Sequence, residues 1–102
     1  MARTIVVGLD GASWRLVEPW IEEGELPALE RLRTSGSWAT NKSCHPPVTF
    51  PNWKCYSSGK NPGKFGVYWF ERIDLATPEI EVMDGDDFKT AELWDYLNDA
   101  GY

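Results

Sequence analysis

Apolar residues run together from Thr4 to Leu9 ("TIVVGL") and break at Asp10-Gly11. A continuous apolar run of this length predicts a strand covered on both faces, as in a parallel sheet. From Ser13 to about Glu22 the rhythm changes. Trp14, Val17 and Ile21 recur at spacings of three and four, which predicts a helix with Ser13 at its N-cap and Gly24 past its end. Pro27, at a first-turn position, opens a second helix that turns Leu29 and Leu32 inward and stops at Gly36. "SWATNKS" (37–43) alternates weakly and reads as a strand leading into His45-Pro46-Pro47.

The second half continues the alternation of strands and helices. Residues 51–58 suit a helix with Pro51 in its first turn and Gly59 past its end. "GKNPGKFG" (59–66) is turn chemistry, and "VYWFERI" (67–73) and "EIEVM" (79–83) read as strands. Thr90 is placed to cap a last helix whose Leu93, Trp94, Leu97 and Ala100 share one face, with Gly101 closing it. The order β-α-α-β-α-β-β-α is that of an α/β fold. In such folds a further strand follows the last helix, so residues 1–102 read as a single N-terminal segment of a larger α/β domain. An incomplete sheet exposes an edge and an apolar face, which predicts association of the chain with copies of itself.

Composition narrows the classes. Hydrophobic residues make up 42% of the 102 residues, six of them Trp, enough for a packed core and against disorder. Sixteen acidic against ten basic residues give a net charge of −6, which speaks against a nucleic-acid duplex as partner. A small phosphorylated substrate at one local site stays compatible with that charge. The first apolar run is too short for a signal segment or a membrane span, so no membrane association is expected and a cytoplasmic location is. Cys44 and Cys55 form neither a C-x-x-C pair nor a disulfide framework and read as buried thiols. The sequon at Asn41 carries no weight without export.

Three residues carry candidate chemistry. Asp10 stands at the carboxyl end of the first predicted strand, where open α/β sheets place their ligands. It is either a metal-binding carboxylate or an ordinary turn residue of Asp-Gly. Thr49, in "PPVTFPNW" (46–53), stands at a predicted helix start, where backbone N–H groups and the positive end of the dipole suit an anion. It is either a helix cap or a nucleophile facing a bound phosphate. Asn52, three residues on, could donate to an oxygen of that phosphate.

"IVVGLDGASW", "PPVTFPNW" and "SSGKNPGKFGVYWF" together resemble the N-terminal part of the type I phosphodiesterase/nucleotide pyrophosphatase family, of the alkaline phosphatase superfamily. The likeness covers roughly residues 4–70, in the same order and with similar spacing. It implies a three-layer α/β/α fold with a mostly parallel sheet. By resemblance, Thr49 is the nucleophile and a metal contact, Asp10 a metal ligand, and Asn52 the amide that contacts the transferred phosphate. The resemblance further implies two divalent metal ions, Zn²⁺ by preference, and a phosphorylated small-molecule or nucleotide substrate.

The family's remaining metal ligands are Asp and His residues downstream of the nucleophile. The chain's one histidine, His45, precedes Thr49 at no matching position. The segment is therefore expected to be inactive alone, and the alternative is a non-catalytic phosphate-binding or interaction module. Two further patterns are declined. "GKNPGK" lacks phosphate-loop spacing, and "DGDD" (84–87) lacks the ligand order of a calcium loop and reads as a solvated turn.

Overall fold

The computed structural model describes residues 3–102, which form two compact units divided between Lys42 and Ser43. The first unit holds two helices. Helix α1 (Trp14–Glu22) buries Val17 and Ile21, four residues apart, as its sequence rhythm requires. Ser13 takes the N-cap position with extended backbone, although its side chain makes no capping bond. Gly24, at φ 80°, turns the chain out of α1 in the left-handed region that glycine adopts without steric cost. Helix α2 (Pro27–Ser35) starts with Pro27 where the missing N–H costs no intrahelical bond, and Gly36 follows it. Arg33 links the two helices, reaching Glu18 at 3.5 Å and lying 6.0 Å from the Trp38 ring centre.

The expected strands at 4–9 and 37–43 are not formed among the described residues. Ile5, Val6 and Val7 are exposed by 84%, 60% and 76%. The physical reason is pairing. Propensity makes a segment ready for a sheet, but a strand exists only against a neighbour that accepts its hydrogen bonds.

The second unit contains helix α3 (Thr49–Ser58), the single turn α4 (Pro62–Phe65), strands β1 (Glu71–Ile73) and β2 (Ile80–Val82), and helix α5 (Leu93–Asp99). The strands are shorter than their sequence runs and pair antiparallel, with Glu71 opposite Val82, Arg72 opposite Glu81 and Ile73 opposite Ile80. This is the sheet seen among the described residues, and it is not parallel. Ile73, Ile80 and Val82 share one exposed face of it. The core is an aromatic cluster. Phe65, Val67, Met83 and Phe88 are buried, with Phe50 and Cys55 packed against them. Phe88 meets Phe50 edge to face at 4.7 Å and Phe65 at 5.4 Å, a geometry that the ring quadrupoles favour.

Two helix starts differ from the sequence reading. Helix α3 begins at Thr49, two residues before Pro51. Proline is tolerated at the third helical position because the N–H groups of the first turn have no intrahelical acceptor in any case. Helix α5 is preceded by Glu92 in the cap position, not Thr90. The Asp95 carboxylate accepts the Glu92 N–H at 2.8 Å, closing half of a capping box. The face of Leu93, Trp94 and Leu97 is largely exposed. The acidic turn at 84–87 is a single 3-10 turn whose carboxylates bond their own backbone, Asp84 from Asp86 N–H and Asp87 from Asp84 N–H.

Candidate active site

The approach to α3 is stiff because Pro46 and Pro47 fix their own φ angles. The Val48 N–H donates to the Pro46 carbonyl at 2.9 Å, and Val48 is extended (φ −112°, ψ 140°) in the cap position. Its carbonyl accepts the Asn52 N–H at 3.0 Å and so closes the first turn. Thr49 is thus the first residue inside the helix, which corrects the reading of it as the cap. Valine offers no side-chain acceptor, and the first turn of this helix holds no carboxylate. A helix start of that composition suits an anion at the positive end of the dipole.

The helix divides by its 3.6-residue period. Thr49, Asn52, Trp53 and Tyr56 are exposed and fall on one arc of about 100°. Pro51 and Ser57 are buried on the opposite side, and Phe50, Lys54, Cys55 and Ser58 are half-buried there. The structure therefore brings Thr49 and Asn52 together on an open face at the anion-favouring end, one turn apart.

Ser43 joins them. Its hydroxyl donates to the Asn52 carboxamide oxygen at 3.3 Å. Sequence reasoning missed this residue, which fell within the weak strand and the sequon. No local signal pairs positions nine apart across two prolines.

Next to Ser43, the Cys44 thiol donates to the Pro46 carbonyl at 3.1 Å, and the Cys44 and Cys55 thiols are both free and half-buried. Burial, reinforced by the neighbouring Cys44 thiol, pushes the Cys55 thiol up to about 11.

The packed side of α3 is held by charge. Lys54 pairs with Glu92 at 2.6 Å, and the buried Ser57 hydroxyl donates to the same carboxylate. Burial pushes the Glu92 carboxyl up, but the bonds from Lys54 and Ser57 outweigh it and hold the group below the usual carboxylate range. The Lys54 ammonium also lies 4.9 Å from the Phe88 ring centre. An open cavity of about 380 Å³ adjoins this pair, lined by Phe50, Trp53, Tyr56, Phe88 and Trp94. Trp69 lines a separate cavity of about 120 Å³.

Asp10 belongs to the first unit and is exposed in the turn before α1, where the Ala12 N–H reaches the Leu9 carbonyl at 3.5 Å. Gly11 completes that turn at φ 70°. Among the described residues, no group of three or more His, Cys, Asp or Glu side chains is placed to hold a metal ion. A catalytic zinc takes about three protein ligands, so the described residues do not by themselves fit a metal pair. His45 is exposed, and its bond to Pro46 is cis. No helix among the described residues is long and apolar enough to cross a membrane.

A family model described as "Type I phosphodiesterase / nucleotide pyrophosphatase" matches residues 4–102. The chain belongs to that family, whose members are hydrolases of phosphorylated or nucleotide substrates and are generally metal-dependent. No curated protein and no solved structure matched the chain.

Proposed function

We propose that residues 1–102 are the nucleophile-bearing segment of a phosphodiesterase/nucleotide pyrophosphatase-like hydrolase. The observation that carries the reading is the open face of α3. Thr49 and Asn52 stand exposed one turn apart at a helix start whose cap residue is Val48 and whose first turn holds no carboxylate, in a chain of this family.

In the proposed reaction the Thr49 hydroxyl attacks phosphorus in line with the departing oxygen. The threonine loses its proton, and the leaving group departs with the electron pair of the broken P–O bond and takes up a proton. This forms a phosphothreonine or nucleotidyl-threonine, which water then cleaves to regenerate Thr49. Asn52 donates from its amide to a non-bridging oxygen. The dipole of α3 favours the negative charge that gathers there.

Asp10 is proposed as one oxygen ligand of a divalent metal pair, zinc being the ion the family implies. Thr49 is proposed as a second contact to that metal. Since the described residues hold no group of three or more His, Cys, Asp or Glu placed for a metal ion, the segment alone is expected to show no turnover. The exposed run at 4–9 supports the wider fold proposal. Apolar on both faces, it fits an interior strand of a mostly parallel sheet in a three-layer α/β/α domain. The exposed Ile73, Ile80 and Val82 are where the isolated segment would self-associate.

The test uses the complete enzyme and a chromogenic phosphodiester. Thr49→Ala should lower turnover by about 10³-fold or more, and Thr49→Ser should keep part of it. An acid quench during turnover should trap the phosphoryl or nucleotidyl group on Thr49, mapped by mass spectrometry. Undiminished turnover by Thr49→Ala refutes the reading, and absence of turnover with either Thr or Ser at this position favours a non-catalytic phosphate-binding module.

A further inference from the structure

We propose that Ser43 is a positioning residue for this site: its hydroxyl sets the Asn52 carboxamide so that the NH₂ end faces the phosphoryl oxygen. The inference rests on the reading of Thr49 and Asn52 given above.

A carboxamide ends in a broad, roughly two-fold torsion, so an exposed one presents oxygen and nitrogen to a ligand in comparable measure. Toward a phosphate the two are not equivalent. The NH₂ group donates a charge-assisted hydrogen bond, whereas the carbonyl oxygen is repelled. Asn52 is exposed, so its own surroundings do not decide between the two orientations. Ser43 is the neighbour at hand: its hydroxyl donates to Oδ1 at 3.3 Å, and in that arrangement the oxygen lies on the side of residue 43 and Nδ2 points the other way.

Ser43 is itself held. The next residue, Cys44, donates to the Pro46 carbonyl at 3.1 Å, and the two prolines that follow remove backbone freedom from the link to Val48. The segment before the helix thus meets α3 at the Ser43–Asn52 bond.

A neutral side-chain hydrogen bond of this kind corresponds to about a two- to tenfold change in an equilibrium or rate constant. The contact it orients, from amide to charged phosphate, corresponds to about ten- to a hundredfold.

The complete enzyme is assayed as Ser43→Ala, Ser43→Thr, Asn52→Ala and the double variant Ser43→Ala/Asn52→Ala. The expected result is a loss in kcat/KM of about two- to tenfold for Ser43→Ala, largely recovered by Ser43→Thr. On the Asn52→Ala background, Ser43→Ala should cost nothing more, because the group it orients is gone. An equal loss on both backgrounds, or none on the first, overturns the proposal. Inorganic phosphate supplies a readout free of turnover, followed by NMR at the Asn52 side-chain NH₂ resonances. Ser43→Ala should weaken its apparent affinity by a similar factor. Unchanged affinity, or no movement of that amide with phosphate in the parent protein, also overturns it. Full activity in Thr49→Ala would instead remove the nucleophile, and the phosphate titration would still decide the role of Ser43.

Discussion

Replacing Glu92 by Ala should loosen α5 from α3 at a cost of about 2–4 kcal/mol. The magnitude follows from the geometry. Lys54 and Glu92 approach to 2.6 Å with side chains only 11% and 16% exposed, and the buried Ser57 hydroxyl shares the carboxylate. Hydrogen bonds to a charged group contribute about 1.5–3 kcal/mol each, and stranding one partner of a fully buried pair costs about 3–5. Lys54 is not fully buried and keeps its contact with the Phe88 ring, which lowers the loss below that limit. The exposed pair Arg72–Glu81, with side chains 56% and 54% accessible, is the internal control: Glu81→Ala should cost far less, because solvent screens the pair. Hydrogen exchange of the amides at 93–99 reads the local effect, and urea unfolding followed by tryptophan fluorescence reads the global one. The pH sign is fixed by the direction of the shift. A carboxyl held below its ordinary value of 4.5 stabilises the fold above that pH and loses the contribution as pH falls through the lower folded value. The difference between parent and Glu92→Gln should therefore shrink in acid below about pH 4.5. If Glu92→Ala costs no more than Glu81→Ala, or the α5 amides keep their protection, the pair is not what holds the two helices together.

Two other outcomes are expected. Phe88→Ala, which empties the centre of the Phe50–Phe65–Phe88 cluster, should destabilise the second unit by about 3–5 kcal/mol in urea unfolding, and a loss below about 1 would place the core elsewhere. Cys55 should alkylate with iodoacetamide at pH 8 about 100-fold more slowly than a thiol at the ordinary 9.0, since a value of about 11 leaves that much less thiolate; mass spectrometry at early times checks it, and ordinary reactivity would count against the burial described.

The helices were legible because their signals are local. Val17 and Ile21 are buried at the spacing their pattern gives, and Pro27 opens α2 where its missing N–H is harmless. The strand at 4–9 was legible as a propensity only, because pairing requires a partner that a run of residues does not specify. The start of α3 was misplaced by two residues because Pro51 suits any position of a first turn, and no rule of composition selects the first over the third. Thr49 and Asn52 were found together because a spacing of three is one helical turn. Ser43 and the Lys54–Glu92 pair depend on how the chain folds back over nine and thirty-eight residues, and neither has a periodic signature.

The two-sided character of α3 has a consequence for how this enzyme family can diversify. The residues that anchor the helix, Phe50, Pro51, Lys54 and Ser57, are not the ones that face outward, Trp53 and Tyr56. A substitution at 53 or 56 alters what a visiting molecule touches while the seat of Thr49 stays fixed from behind. If Thr49 is the nucleophile proposed above, one helix thus separates the freedom to vary its clientele from the duty to keep that residue in register.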